Sequence, residues 1–137
     1  MIVIDASGSI MGRLASSVAK SLLNGEEVHV INAEEAVISG TKEMVCGEYI
    51  EKRNLNHPRK GPFYPRMPHM MLKRAVRGMI PYQKPRGREA FKRLKVDVGT
   101  PISLKEEKAQ TIDNAKMNDS SNYVKLGEVS KILGAKF

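Results

Sequence analysis

Tryptophan is absent from this 137-residue chain, aromatic residues make up 5% of it, and there is one cysteine, Cys46. A lone cysteine excludes an intramolecular disulfide framework and leaves no second thiol for a zinc site. That usage fits a reducing compartment. Long apolar runs are also missing: none approaches the roughly 20 residues that a membrane helix needs. The start, MIVIDASG, lacks the basic and apolar regions of a secretory signal. These absences lead us to expect a soluble, intracellular protein. The length argues for a single domain over residues 1–137. An apolar content of 41% is enough to build its core.

Acid is scarce in one place only. Residues 52–95 carry fourteen Lys or Arg and one acid, Glu89, a net +13. The other 93 positions carry nine bases and fourteen acids, a net −5, so the chain as a whole stands at +8. A segment so charged repels itself unless something anionic covers it. Nucleic acid is the usual cover and an anionic membrane surface comes second. Arginine outnumbers lysine in the segment, and its planar fork suits phosphate and stacking on bases. Phe63, Tyr64 and Tyr82 interleave with the cations and can stack on unpaired bases. The candidate contacts are Arg53, Arg59, Lys60, Arg66, Lys73, Arg74, Arg77, Lys84, Arg86, Arg88, Lys92, Arg93 and Lys95, with Arg13 from the N-terminal turn. There is no helix-turn-helix, zinc-finger or RRM signature. Structured RNA, read by shape and backbone, is therefore favoured over a sequence-specific DNA site.

The apolar pattern places this segment within an α/β chain. Residues 2–5 read as a buried strand. Leu14, Val18 and Leu22, with Ala15 and Ala19, form one helix face. Ser7 or Ser9 can cap that helix and Asn24-Gly25 can end it. Residues 27–32 alternate as a second strand, and 36–38 suggest a short third. A helix over 41–53 places Met44, Val45, Tyr49 and Ile50 as its apolar positions. Strand, helix, strand at this spacing predicts a mostly parallel sheet. Residues 54–69 hold four prolines and one glycine, which predicts an extended loop. Pro68 can open a helix patterned over 70–80, with Leu72, Ala75, Val76 and Met79 inward and Lys73, Arg74 and Arg77 outward. A short helix opens at Pro85, with Ala90, Phe91 and Leu94 inward. Residues 95–98 suggest a last strand and 101–122 a polar connection. Leu126, Val129, Ile132 and Leu133 mark a helical tail over about 123–134, with Gly134 as its cap.

The turn ASGSIMGR, between the first strand and helix, invites comparison with phosphate loops. Gly8 and Gly12 have three residues between them where the P-loop has four, Arg13 replaces its lysine and Leu14 its hydroxyl. The dinucleotide pattern fails at Ile10, and Asn32 stands where an acidic ribose partner belongs. The turn therefore reads as structural, with Gly8 and Gly12 serving its tightness and helix packing. Arg13 remains a candidate for an RNA phosphate. Other chemistry is thin. His29 in its strand reads as structural. His57, His69 and Cys46 match no metal spacing, and Cys46 beside Met44 and Val45 reads as core. Asp5 at a strand end suits capping of the next turn. Glu34 and Glu35 are adjacent and diverge.

The stretch KRAVRGMIPYQKPRGREAFKRLKVDVG (73–99) resembles the signature of the universal large-subunit ribosomal protein thirteen family. Val76-Arg77-Gly78-Met79-Ile80-Pro81 matches its core, Gly87-Arg88 its Gly-basic pair, and Leu94-Lys95-Val96 with Gly99 its closing strand. GRLAS at 12–16, VINAE at 30–34 and Ser39-Gly40 agree. HPRKGPFYPRMPHMMLKRAVRGMIP resembles the archaeal and eukaryotic branch, and the short end resembles the archaeal form. The resemblance implies a three-layer α/β/α fold around a small, mostly parallel sheet of about four strands, with a basic loop-plus-helix extension. It implies a structural, non-catalytic constituent of the large ribosomal subunit in the cytoplasm. The implied partners are large-subunit rRNA and neighbouring ribosomal proteins, with no cofactor, metal, membrane or small-molecule substrate. Arg13, Arg77, Arg88 and Lys95 are its motif-matched cations. Rival readings from the residues alone are a nucleotide enzyme on the N-terminal unit and a peripheral membrane protein on the basic helices.

Overall fold

The computed structural model describes residues 2–55, 59–61, 63–105, 107–118 and 122–137. Strand β1 (Ile2–Asp5) leads through a turn into helix α1 (Met11–Leu23), which buries Leu14, Ala15, Val18, Ala19 and Leu22 as the spacing predicts. Gly25, at φ +93°, follows the helix end at Asn24. Neither candidate serine caps the start of α1: Ile10 holds the capping position, without a side-chain hydrogen bond. The backbone of Ser9 and Ile10 is already engaged. The Val37 N–H donates to the Ser9 carbonyl at 2.9 Å and the Ile10 N–H to that of Ala115 at 2.6 Å. The chain therefore enters the helix beyond both serines, with Ile10 one residue after Ser9.

Strands β1, β2 (Val28–Ile31) and β4 (Leu94–Val96) form a parallel sheet in that order, with Ile2 opposite Val28 and Val28 opposite Leu94. One face presents Ile4, Val28, Val30, Leu94 and Val96 to the main core. Helices α1, α3 (Pro68–Arg77) and α4 (Pro85–Lys92) cover that face. The opposite face carries Val3 and Ile31, which pack on Leu104 and Ala109. The α/β class and the small parallel sheet match expectation. The outer layer on this second face, however, is a 3-10 turn (Ile102–Leu104) and extended chain rather than a helix. Residues 101–122 lack the apolar stripe that would hold a helix on the sheet. Gln110 takes a single fourth position, bridging β1 through Asp5 N–H (2.8 Å) and Val3 C=O (2.9 Å).

The third strand, β3 (Val37–Ser39), is present but lies outside the main sheet. It pairs antiparallel with β5 (Tyr123–Lys125), Ile38 opposite Val124. Only residues 32–36 separate it from β2. A parallel neighbour needs a crossover of about a dozen residues, so the chain turns instead, with Asn32 at φ 56° and a 3-10 turn at Ala33–Glu35. Helix α2 (Lys42–Asn54), capped by Thr41 Oγ1, buries Val45, Cys46 and Tyr49 but leaves Met44 and Ile50 exposed. Helix α5 (Leu126–Ile132) packs against α2 and the 33–35 turn. Its Leu126 and Val129 are buried, while Ile132 is exposed.

Helix α3 starts at Pro68 and ends before Gly78, earlier than the spacing predicts at both ends. Met71, Leu72 and Val76 face the core, and Met79 beyond the helix is exposed. Helix α4 docks so closely on the preceding turn that a Cβ at Gly87 would stand 1.9 Å from the Pro81 carbonyl oxygen. Only glycine permits that approach.

Candidate nucleic-acid interface

Helices α3 and α4 present one basic surface. A groove of about 380 Å³ runs along α3, bounded by Lys73, Arg74 and Arg77 and by Phe91 and Val96. A second recess, about 560 Å³, continues from Arg77 over the 80–84 turn to Lys84. Arg66, Lys73, Arg74, Arg77, Lys84, Arg86, Lys92 and Lys95 pair with no carboxylate among the described residues. The start of α4 is electrostatically adverse on its own. Lys84, Arg86 and Arg88 gather at its N-terminus, and its first turn holds no acid. A helix N-terminus carries partial positive charge, so each cation there costs about 0.3–1 kcal/mol. An external anion reverses that sign.

The structure separates the predicted cations into two groups. Several arginines are tied within the chain. Arg53 donates to the Tyr64 carbonyl. Arg88 donates to the carbonyls of Tyr82 (3.2 Å) and Gln83 (3.4 Å), bracing the turn under α4. Arg93 donates to the Leu22 carbonyl at 2.6 Å and so closes the C-terminus of α1. No local signal announces that role, because the partner lies 71 residues away. Arg13 is exposed and reaches the Asn114 carbonyl at 3.4 Å. Arg59 and Lys60 are exposed on the loop before α3. Lys95 points to the sheet face away from the helices, since Leu94 and Val96 point inward.

The aromatics divide likewise. Tyr64 packs on Tyr49, ring centroids 5.7 Å apart, beneath Lys52 and Arg74. Tyr82 meets Phe91 edge-on at 5.5 Å and lies under Arg77. Phe63 is 57% exposed and has no ring partner among the described residues. Burial, and next the neighbouring Tyr64, push the Tyr49 hydroxyl well above its ordinary value.

The remaining candidates have structural surroundings. In the N-terminal turn, Gly8 adopts φ +69°. The N–H groups of Gly8, Ser9 and Ile10 all donate to carbonyls of the chain, at 3.1, 3.0 and 2.6 Å. A phosphate cradle needs those groups free. Gly12 does not serve packing as its sequence context suggests, because a Cβ there meets nothing within 4 Å. Asp5 Oδ1 accepts from the Ser7 N–H at 2.9 Å and the Asn32 amide at 3.1 Å. Burial works to raise the Asp5 carboxyl, but these hydrogen bonds outweigh it and hold it below the usual value. His29 is paired with Asp97. Glu34 accepts from the Gly99 N–H at 2.9 Å, whereas Glu35 binds Lys125 at 3.0 Å, so the two acids do diverge. Cys46 is buried. His57 lies outside the described residues, and no metal-binding group of His, Cys, Asp or Glu occurs among the described ones. No described helix is long and apolar enough to cross a membrane.

Comparison with known proteins agrees with the residue motifs. A family model described as Ribosomal protein L13 matches residues 1–103. The large ribosomal subunit protein uL13 of Methanosarcina barkeri is 51% identical over 140 residues, covering 100% of both chains. Its counterpart in Methanococcoides burtonii is 51% identical over 139 residues, again with 100% of both chains. That of Methanocaldococcus jannaschii is 50% identical over 144 residues at the same coverage. The chain belongs to the ribosomal protein L13 family.

Proposed function

We propose that this protein is a non-catalytic, structural constituent of the large ribosomal subunit in the cytoplasm, where it binds and stabilises folded rRNA beside neighbouring ribosomal proteins. The observation that carries this reading is the basic α3–α4 surface, whose cations lack carboxylate partners among the described residues and crowd a helix N-terminus. Its mechanism is charge neutralisation: phosphate strands pack closely against the surface, and released counterions drive binding. Lys73, Arg74, Arg77, Lys84, Arg86 and Lys92 make the direct phosphate contacts. Arg59, Lys60 and Arg66 extend them onto the loop, with Phe63 free to stack on a base. Arg53, Arg88 and Arg93 act mainly by holding that surface in shape. Arg13 and Lys95 serve a second, separate strand.

Reversal of charge tests the assignment. Arg74, Arg77 and Arg86 changed together to Glu are expected to weaken rRNA binding at least about a hundredfold at moderate salt. The matching reversal of Lys105, Lys108 and Lys116 is expected to cost less than about fivefold. Filter binding to folded large-subunit rRNA fragments compares the two. Equal losses would remove the α3–α4 surface from the interface.

A further inference from the structure

The groove along α3 has a property that phosphate binding leaves unused. Its rim is cationic, with Lys73 and Arg77, but its floor is apolar, formed by Met70, Phe91 and Val96. The two are adjacent: Lys73 Nζ lies 5.5 Å from the Phe91 ring centroid. His69 also lines the groove, and its Nδ1 is enclosed with no hydrogen-bond partner among the described residues. No carboxylate lines it.

These features exclude simple occupants. A backbone phosphate alone needs the cations and gains nothing from an apolar floor. An apolar side chain of a protein neighbour covers the floor but leaves the cations unserved. An unstacked nucleotide meets both, with a flat base on the floor and a phosphate at the rim. The geometry points to a site for a single unstacked nucleotide of an RNA strand, its base seated against Met70, Phe91 and Val96 and its phosphate held by Lys73 and Arg77. This rests on the RNA-binding reading above and specifies which part of the RNA enters: a bulged or looped-out residue rather than continuous duplex.

Fluorescence anisotropy with the full chain tests it, using hairpin RNAs that differ at one position. One carries a single bulged nucleotide there, one an abasic unit, and one is fully paired. The bulged hairpin is expected to bind about tenfold more tightly than the other two. Met70→Trp fills the groove without altering charge, and Met70 is 49% exposed, so the fold has room for it. This variant is expected to bring the ratio of bulged to paired affinity close to one. Equal affinity of the wild type for all three hairpins would overturn the nucleotide site while leaving general RNA binding intact. Failure to bind any of them overturns the RNA-binding reading and this site together. Saturable binding of free nucleoside monophosphate with affinity matching the bulged hairpin would mark a small-molecule site and overturn the strand assignment.

Discussion

Arg93 and Arg77 are both arginines of the basic segment, yet they do different work. Arg93 reaches back to the Leu22 carbonyl near the end of α1, whereas Arg77 lies at the surface between two recesses. Residue type alone does not separate them; the acceptor within reach does. Tyr49 shows the same dependence on surroundings. It is buried against Tyr64 under Lys52, and burial first, then Tyr64, raise its hydroxyl above the ordinary value of 10.0. The unfolded chain ionises this tyrosine at the ordinary value, so its contribution is intact below about pH 10 and is lost as the pH rises from there. The thermal midpoint is expected to fall above that pH. In Tyr49→Phe part of that fall should be missing, which circular dichroism melts across alkaline pH would read. An identical pH profile in the variant would contradict the burial of an ionisable hydroxyl there.

At the scale of elements, α4 carries the clearest opposition between stability and binding. A helix start with Lys84, Arg86 and Arg88 and no acid in the first turn is poorly matched to its own dipole. Arg86 is exposed, and no ion pair or hydrogen bond ties it among the described residues. Arg86→Glu is therefore expected to stabilise the free protein by about 0.3–1 kcal/mol while weakening rRNA binding. Denaturant melts and filter binding on the same variant check both halves. A loss of stability would mean that Arg86 supports the fold and that its charge is not held for an anion. The helices themselves were legible in advance because each buries a stripe: Leu14, Val18 and Leu22 in α1, Leu72 and Val76 in α3. Their ends were less so. The start of α1 was settled by the backbone bonds of Ser9 and Ile10 to distant residues rather than by its nearby serines.

Across the whole molecule, charge is segregated. The chain is net negative outside residues 52–95, while that segment, which includes α3, α4 and the start of β4, is strongly positive. The fold gathers much of that segment on one side, on α3, α4 and the turn between them. Binding to rRNA is therefore expected to depend steeply on salt. With about six phosphates neutralised, the logarithm of the affinity should fall with a slope of about −5 against the logarithm of salt concentration. Titrations between about 0.1 and 0.4 M monovalent salt measure that slope. A slope near zero would rule out counterion release as the driving force.

By itself the sequence determined what is local or cumulative. The parallel βαβ start, the helical stripes, the polar character of 101–122, the basic segment and the family motifs can all be read without coordinates. Each depends on spacing along the chain or on summed charge. The tertiary structure decided what depends on partners far away in sequence. It placed β3 beside β5 because five residues cannot carry a parallel crossover. It covered the second sheet face with a 3-10 turn and set Gln110 at the sheet edge. It tied Arg53, Arg88 and Arg93 to carbonyl acceptors, and left the cations of α3 around an apolar-floored groove that His69, Phe91 and Val96 complete from three different elements. Hydrogen bonds and grooves join residues that periodicity cannot relate, so only the folded chain could tell a bracing arginine from one left to meet an anion.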